Sequence, residues 1–524
     1  MDRFKDITPA FIISLSILLI GILISFYCIH KPLGDFGNYY FGAKLIEKEN
    51  VWNSIYDVYN FNEQIRKLGY ENLFLSHTTV APQSLLFYKP LSYVSNPFLA
   101  KLIFNLSGVV LFSICFFYFL RTIKIEIHHI IILASAVIPI YYNILFGQAY
   151  LFVCGALLII THTRFQKNNH FISFILAMII SIKITPVIFL LYFFLTKNYK
   201  VLFLTALYWC VILLATSLIV DTDTIYRFYT QITPKLSSGF VNDPFSSSYY
   251  GVIVVLHKLF LYDEVLNSAP FIQISSSWIN LINGCIVSAL LVIIGIVITK
   301  IKNEIAFCIF TILVFSNMTS GYNSTYSLLL LVPFCLTTKL SKNYLFVFAL
   351  IAILLLPPRL FDGSIIILAH YKLILFTLLL ILILKEVKFE FKLNKSILFI
   401  SSIYISLITI NFARSKDYEF NYFPPIANKS IHYVQQYSQN SNTLTYTYFN
   451  YSGIHIDSTK VSNPIEKCIK NKNILLQDGS EINTISCIGD TIVFLTDYKR
   501  GPGLYNIFYV TKNNLQDLPF TMYK

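Results

Sequence analysis

The chain enters its first long apolar run with FIISLSILLIGILISFYC (residues 11–28) and leaves it with KPLGDFGNYY (residues 31–40). The apolar part extends from about Ile7 to Cys28, which matches the roughly 20 residues that a membrane-spanning helix needs. No small-residue cleavage site follows it, so we expect a retained first helix rather than a cleaved leader. Asp35 therefore lies where a hydrophobic helix meets water, and this position makes it a candidate catalytic or binding group.

The composition extends this expectation to the whole chain. Of 524 residues, 56% are hydrophobic and only 13% are charged, which is too apolar for a soluble enzyme of this length. The net charge of +13 does not indicate nucleic-acid binding, because the basic residues lie in short clusters between apolar runs and form no binding motif. We expect a polytopic membrane protein whose partner is the lipid bilayer, with no nucleic-acid partner.

Apolar runs recur along the chain and predict an all-α polytopic membrane protein with about 13 hydrophobic segments. With the N-terminus placed inside, the Lys and Arg clusters between the runs also fall inside, as the positive-inside rule requires. Residues 30–97 and 221–277 then form large outer loops. The runs lie near residues 7–29, 98–120, 127–146, 148–162, 171–182, 185–196, 201–220, 278–299, 305–318, 325–337, 343–356, 365–384 and 396–412.

The segment Lys183-Ile184-Thr185-Pro186 interrupts the apolar residues 171–195. A single crossing there would expose the later basic clusters to the outside, whereas two short helices meeting at this segment keep the charge pattern. Pro186 disfavours helical geometry at the residue before it, where the hinge is needed. Each half has only about 12 residues and cannot cross a core of about 30 Å alone. We therefore expect Lys183 at the bottom of an outward-open cavity lined by protein.

The first outer loop shows patterns of local structure. Residues 36–48 alternate aromatic and apolar groups with charged ones, which predicts an amphipathic helix lying along the membrane interface. Asn60-Phe61-Asn62-Glu63 predicts the capped start of a second short helix, and residues 85–91 predict a further interfacial segment.

The character of the chain changes at Arg414, after a transmembrane module of residues 1–413. Residues 414–524 are polar and contain β-rich runs, which predict a small C-terminal α/β or mainly β domain. An odd number of spans would place this domain outside the cytoplasm, where Cys468 and Cys487 could form a disulfide. Spacing alone leaves that pairing open.

Three motifs follow one another on the predicted outer side. Gly34-Asp35-Phe36 leads through Tyr39-Tyr40 to Ile55-Tyr56-Asp57, and Phe146-Gly147-Gln148-Ala149-Tyr150 and Ile182-Lys183-Ile184-Thr185-Pro186 come later. In order and placement they resemble the GT-C superfamily of membrane glycosyltransferases. Within it they resemble family 87, a group of polyprenol-phosphate-mannose-dependent mannosyltransferases with a first-loop acid, a Gly-Gln turn and a Lys-x-x-Pro hinge. The likeness spans about residues 1–385.

Two places depart from the family pattern. Ala81-Pro82-Gln83 stands where the family usually has Tyr-Pro-Pro, and residues 320–326 have Ser, Gly, Tyr and Asn where Pro, Trp and His are expected. The tail from Arg414 lies outside the resemblance.

Sugar transfer on the outer side cannot use cytoplasmic nucleotide sugars, so the expected donor is a polyprenyl-phosphate sugar and the expected acceptor a lipid or glycan. The reaction needs a general base for the acceptor hydroxyl and donors or cations for the departing phosphate. Asp35 fits the first role and Lys183 the second. We expect no cofactor beyond the donor substrate, and the resemblance favours inversion at the anomeric carbon. The candidate sugar-binding residues are Gln148, Tyr39, Tyr40, Tyr322 and Asn323.

Each main candidate also has a purely structural interpretation. Asp35 could cap the helix that begins at Phe36, because Asp is a preferred N-cap residue. Lys183 could extend to the membrane interface, and Gln148 could satisfy the backbone of a tight turn. Asp221-Thr222-Asp223 is more typical of a solvated loop than of a metal site, so we expect no metal.

Three functions remain open at this point. The leading one is a GT-C hexosyltransferase in the cytoplasmic membrane of a bacterium, with the N-terminus inside and the C-terminal domain outside. A glycan polymerase or ligase would be expected to use outer-loop arginines, of which these loops have few: Arg66, Arg227 and Arg359. A transporter or flippase usually has matched half-repeats and ionisable residues at the midplane, and no convincing repeat occurs here.

Overall fold

The fold is described by a computed structural model of the chain. For the tail beyond Arg414 only the backbone of six strands is described. The described residues are 2–46, 51–56, 61, 64–65, 67–70, 73, 75, 77, 79–162, 166–233, 244–245, 247–262, 267, 269–321, 323–358, 360–361, 366–390, 395–414, 433–440, 443–450, 453–460, 482–488, 491–496 and 506–511.

The part of the chain up to Arg414 is helical. Tight 3-10 turns at Thr185–Phe189, Thr325–Leu330 and Lys339–Lys342, and π turns at Trp52–Tyr56 and Phe228–Ile232, join some of the helices. In chain order the α-helices are α1 (Asp2–Tyr27), α2 (Asp35–Leu45), α3 (Ser84–Ser92), α4 (Pro97–Leu120), α5 (Ile127–Ser135), α6 (Val137–Phe146), α7 (Tyr150–Thr161), α8 (Asn169–Ile182), α9 (Leu190–Leu195), α10 (Tyr199–Thr216), α11 (Thr222–Arg227), α12 (Val252–Phe260), α13 (Ser276–Lys300), α14 (Ile305–Thr319), α15 (Leu331–Cys335), α16 (Tyr344–Leu355), α17 (Ile366–Ala369), α18 (Tyr371–Glu386) and α19 (Lys395–Arg414).

Five helical segments of the described chain are long and apolar enough to cross a membrane. Shorter apolar helices such as α7, α8 and α14 pack beside them. This establishes an integral membrane protein, because so many long apolar helices cannot be hidden in one water-soluble core. The count of about 13 segments, the boundary at residue 413 and the orientation of the termini stay predictions. The five segments are Thr8–Tyr27, Pro97–Leu120, Ile127–Phe146, Tyr199–Thr216 and Ser276–Lys300.

Of the groups of buried side chains in the described helical part, two are large. The larger group is mostly aliphatic and joins the long helices, from Val109 in α4 to Ile383 in α18. The smaller group, called the aromatic loop core below, joins α2, α3 and the start of α4 to Val220, Phe228 and Ile232. It therefore packs the start of the second predicted outer loop, at Phe228 and Ile232, against the first outer loop.

Helix α2 is not the amphipathic interfacial helix that the sequence predicts. Eight of its 11 residues are buried, including Phe36, Tyr40 and Leu45. The aromatic loop core surrounds the helix, and Lys44 still packs its amine against the face of Tyr40, 5.4 Å from the ring centroid. The sequence pattern of α2 does not reveal this, because the covering residues come from distant parts of the chain. The predicted start of a second helix at Asn60 lies outside the described residues.

The predicted break at Lys183 is confirmed. Helix α8 ends at Ile182, and Lys183 has extended backbone angles, φ −141° and ψ 131°. A 3-10 turn with Pro186 near its start follows at once. Pro186 has no N–H to donate to the Ile182 carbonyl, so a helix that continued α8 through this point would lose a hydrogen bond there.

Six strands are described in the tail. They form two antiparallel three-stranded sheets of sequential strands. The first sheet contains β1 (Tyr433–Asn440), β2 (Thr443–Asn450) and β3 (Gly453–Lys460); the second contains β4 (Ile482–Ile488), β5 (Thr491–Thr496) and β6 (Asn506–Thr511). The predicted exported domain over 414–524 stays a prediction. The proposed Cys468–Cys487 disulfide lies outside the described side chains.

Candidate functional site

Two glycine turns interlock at the centre of the site. Gly34 has φ 60° and ψ −144°, and a Cβ atom at this position would come within 3.0 Å of the Phe146 Cα. Gly147 ends α6 in the left-handed conformation, φ 62° and ψ 50°, and a Cβ there would collide with the Cβ of Phe36. Gly34 thus packs against Phe146, and Gly147 packs against Phe36. Only glycine combines this backbone geometry with such close contact.

This interlocking brings Asp35 against Gln148. Gln148 Nε2 donates a hydrogen bond to Asp35 Oδ2. Asp35 is the first residue of α2, but its helix makes no side-chain cap hydrogen bond, and Gly34 occupies the cap position. The interpretation of Asp35 as a helix cap is therefore wrong. Its charge still lies at the positive end of α2, which favours the ionised form.

Tyr39 and Lys183 extend the contact into a network. Lys183 Nζ donates to the Tyr39 hydroxyl at 2.6 Å, and that hydroxyl donates to Gln148 Oε1 at 2.9 Å. The ammonium also lies over two aromatic rings, 5.2 Å from the centroid of Tyr39 and 5.7 Å from that of Tyr150. Lys183 thus turns toward the phenol of Tyr39 and the ring of Tyr150. We call Asp35, Gln148, Tyr39 and Lys183 the site network.

The two ends of the site network differ from its middle in exposure. Gln148 and Tyr39 are each only 2% exposed, whereas Asp35 and Lys183 retain intermediate exposure. A carboxylate and an ammonium are thus held at a fixed separation by two buried groups. This arrangement can present one acid and one cation to a substrate while the connecting groups stay dry.

Burial shifts the acid–base chemistry of Asp35. Loss of water raises the pKa of the Asp35 carboxyl, and the positive charge of Lys183 and the hydrogen bonds from Gln148 and Tyr326 oppose this shift. A carboxylate with a raised pKa is a stronger proton acceptor than an exposed one, provided that it stays ionised. The positive charge of Lys183 and the hydrogen bonds act in favour of the ionised form.

Tyr326 is a site residue that the sequence did not identify. Its side chain hydrogen-bonds to Asp35, and its ring lies 5.6 Å from the ring of Tyr150. The Asn143 amide donates to the Tyr326 carbonyl at 2.8 Å and so fixes its position against α6. Its only local signal was its place at the end of residues 320–326, where the chain departs from the family pattern, and the many tyrosines of the chain obscured it.

Tyr88 is a second residue without a clear sequence signal. Its ring stacks on Tyr39 with the centroids 4.4 Å apart and the planes 7° apart. The side chain is fully buried, and its hydroxyl has no hydrogen-bond partner among the described residues. Tyr88 therefore fixes the plane of the Tyr39 ring by packing.

Helix α4 holds both glycine turns in place. Lys101 Nζ donates to the Pro32 carbonyl at 2.7 Å and to the Leu145 carbonyl at 2.5 Å. One turn further along, the Asn105 amide donates to the Ile144 carbonyl at 2.9 Å. Lys101 is 1% exposed. A buried lysine on α4 thus connects the segment before Asp35 to the segment before Gln148.

The remaining predicted site residues lie elsewhere. The Tyr40 hydroxyl donates to the Val94 carbonyl at 2.7 Å, within the aromatic loop core. The Asn323 amide donates to the carbonyls of Asn317, at 2.8 Å, and Ser320, at 3.1 Å, and so closes the end of α14. Tyr322 lies outside the described residues. The structure therefore brings together Asp35, Tyr39, Gln148 and Lys183, and it does not bring Tyr40 or Asn323 into that network.

Metal binding stays untested. Within the described residues, no group of three or more His, Cys, Asp and Glu side chains is placed to hold a metal ion. The prediction of metal-free chemistry therefore rests on the sequence argument alone.

The fold and the site network define an integral membrane protein with a carboxylate and a lysine held next to each other under packed loops. Residues 81–320 match the family model of glycosyltransferase family 87. The match confirms the resemblance predicted from the sequence, and the class that this family implies is a membrane glycosyltransferase. Gln148 and Lys183 lie inside the matched segment, and Asp35 and Tyr39 precede it. No curated protein and no solved structure matches the chain.

Proposed function

We propose that the protein transfers a mannose-like hexose from a polyprenyl-phosphate donor to a lipid-linked or cell-envelope glycan on the outer face of a bacterial cytoplasmic membrane. The N-terminus lies inside and the C-terminal domain outside in this proposal. The observation that carries it is the site network, in which Asp35 is joined to Lys183 through Gln148 and Tyr39. A base and a phosphate-binding cation are the two groups that this transfer requires.

In the proposed reaction Asp35 accepts the proton of the acceptor hydroxyl. The acceptor oxygen attacks the anomeric carbon as the bond from that carbon to the phosphate oxygen breaks. The polyprenyl phosphate leaves with the bonding electron pair, and Lys183 stabilises its negative charge through a charge-assisted hydrogen bond. One displacement on one carbon inverts its configuration. No resident cofactor or metal takes part in this scheme.

The site network supports these roles by fixing the distance between base and cation. Gln148 uses both ends of its amide, since Nε2 donates to Asp35 and Oε1 accepts from Tyr39. The amide is therefore held in one orientation, and Asp35 and Lys183 need little rearrangement when substrate binds. Such preorganisation lowers the cost of stabilising charge in the transition state.

An apolar groove beside the hinge provides room for the donor's lipid chain. It has a volume of about 330 Å³ and starts at Val187, one helical turn beyond Lys183. A polyprenyl chain is branched and apolar, so it matches such walls, and its phosphate would lie toward the hinge lysine. The lining residues are Val187, Ile188, Leu190, Leu191, Phe194, Leu202, Leu291, Phe315 and Ile400.

The substitution Asp35→Asn tests the proposed base. Asparagine keeps the shape of the side chain and an oxygen that accepts from Gln148, but it cannot take up the proton. We expect normal membrane insertion and a loss of transfer of about 10²–10⁴-fold. The measurement is transfer of labelled hexose from a polyprenyl-phosphate hexose by purified protein, with the lipid and glycan products identified by mass spectrometry.

Asp223→Asn is the matched control. Asp223 is an exposed carboxylate on α11 that pairs with Arg227 at 2.7 Å. Its loss is expected to leave transfer unchanged. Full transfer by Asp35→Asn, with correct insertion, would refute the assignment of Asp35 as base.

A further inference from the structure

A second buried lysine lies outside the site network. Lys372 is the second residue of α18, is 1% exposed, and has no hydrogen-bond acceptor for its Nζ among the described residues. Its ammonium lies 5.6 Å from the ring centroid of Tyr250. None of the ion pairs within the described chain involves it. A buried cation without a counter-charge is unfavourable, so a charged Lys372 would be stabilised by an anion.

The helix itself adds positive potential at the same place. The first N–H groups of a helix lack intrahelical partners and carry partial positive charge. The cap residue of α18, His370, makes no side-chain cap hydrogen bond to them. An ammonium and a helix N-terminus repel each other when both are buried, but together they form a strong site for an anion. Among the first N–H groups of α18, that of Leu373 donates to the His370 carbonyl at 2.9 Å, so the groups in question are those of Tyr371 and Lys372.

Tyr250 gives this site a fixed wall. Its ring is stacked on Phe376, one turn further along α18, with centroids 5.5 Å apart and planes 16° apart. Its neighbour Gly251 packs directly against the backbone of Ser320, where a Cβ would collide with the carbonyl. The aromatic face is therefore held beside Lys372 from both sides.

The same short segment borders this site and the site network. The Tyr250 hydroxyl donates to the Ser324 carbonyl at 3.4 Å, and Tyr326, two residues later, hydrogen-bonds to Asp35. Residues 324–326 thus link Tyr250, the aromatic neighbour of Lys372, to Asp35 of the site network. Lys183 already has the Tyr39 hydroxyl as acceptor, whereas Lys372 has none among the described residues.

We infer that Lys372 and the N-terminus of α18 bind the phosphate group of a membrane lipid, at a subsite separate from Lys183. Phosphate matches this pair because it offers several oxygens, some to the ammonium and some to the helix N–H groups. A lipid is the source that the fold favours, since the site lies among apolar helices. The inference requires no sugar transfer, so it goes beyond the proposed function.

The test measures binding rather than transfer. Protein in nanodiscs of phosphatidylcholine is titrated with a labelled short-chain polyprenyl monophosphate, with the corresponding polyprenyl alcohol as a phosphate-free probe. Lys183→Met serves as the background, so that any contribution of the site network is removed. We expect Lys372→Met to weaken phosphate-dependent binding at least about tenfold and Lys372→Arg to retain most of it.

The matched control is Lys385→Met, which removes an exposed lysine from the far end of α18. It should leave binding unchanged. Competition by phosphatidylglycerol equal to that of unlabelled polyprenyl phosphate would support the site and identify bulk phospholipid as the source. Preference for polyprenyl phosphate would support the site and identify a lipid carrier.

Two results would overturn the inference. The first is phosphate-dependent binding of equal affinity in the protein that keeps Lys372 and in the Lys372→Met and Lys372→Arg variants. The second is a Lys372-dependent site that inorganic phosphate occupies and neither lipid does. The test measures lipid binding and not sugar transfer. If the proposed function is wrong, the binding result for Lys372 can therefore still be interpreted.

Discussion

Lys183 and Lys372 are both removed from bulk water in the same membrane protein, yet their surroundings differ. Lys183 keeps partial exposure, donates to the Tyr39 hydroxyl and lies near the acid Asp35. Lys372 is almost fully buried, and an aromatic face is its described neighbour. The comparison shows that the partners of a buried charged group indicate its role. Lys183 has a hydrogen-bond acceptor in the site network, whereas the Nζ of Lys372 has none among the described residues.

A third buried lysine, Lys101, sharpens the contrast. Its ammonium donates hydrogen bonds to two backbone carbonyls, those of Pro32 and Leu145. This is a structural use of a lysine, since the partners are parts of the fold and leave no need for a ligand. The three lysines thus have three different environments: Lys101 contacts the backbone, Lys183 belongs to the site network, and Lys372 is the residue proposed to bind a ligand.

The largest difference between the two lysines should appear in transfer activity. We expect Lys183→Met to reduce kcat by about 100-fold or more, because the departing phosphate loses its cation in a site of low polarity. Hexose transfer under saturating donor is the measurement. Lys200→Met, at an exposed lysine near the start of α10, is the control and should behave as the unaltered protein. Activity within twofold of normal for Lys183→Met would remove it from the mechanism.

The two lysines should also affect stability with opposite signs. Without ligand, Lys372→Met removes an uncompensated buried charge and should raise the free energy of unfolding by about 1–3 kcal/mol. Lys183→Met leaves Asp35 without its nearby cation and should lower it by a similar amount. Thermal unfolding of both variants in one detergent, without added lipid, measures this. Equal signs would mean that the surroundings of the two lysines are alike.

A smaller effect is expected for Tyr39→Phe, which cuts the site network in its middle. Phenylalanine keeps the stacking on Tyr88 but loses the hydroxyl between Lys183 and Gln148. We expect kcat to fall about tenfold, because the hydroxyl makes two hydrogen bonds and each contributes about 0.5–1.5 kcal/mol net. Tyr40→Phe should change stability rather than kcat, because its hydroxyl is bonded to Val94. A larger kcat effect from Tyr40 than from Tyr39 would contradict the site network.

The sequence located much of the site because its signals were local. Asp35 after an apolar run, Gln148 in a glycine turn and Lys183 before Pro186 each stand out within a few residues. Tyr39 and Tyr40 could not be separated in this way. Adjacent residues on a helix point roughly 100° apart, so only one of the pair can face the network, and tertiary contacts decide which.

Other features depend on contacts between distant segments and have no local signal. Helix α2 looked amphipathic, but Val220 and Phe228 contribute to a core that covers it. Tyr88 and Tyr326 were two tyrosines among 36, and only packing shows which ones meet Tyr39 and Asp35. The Lys101 contacts join three segments of the chain and could not be read from spacing.

The interlocked glycine turns also set an order for biosynthesis. Gln148 follows Asp35 by 113 residues in the chain. At a synthesis rate of about 5–20 residues per second, Asp35 is made roughly 6–20 s before its amide partner. During that interval Asp35 lacks the amide that donates to it in the folded protein. Because Gly147 immediately precedes Gln148, Asp35 can gain this partner only after the turn at Gly147 has been synthesised.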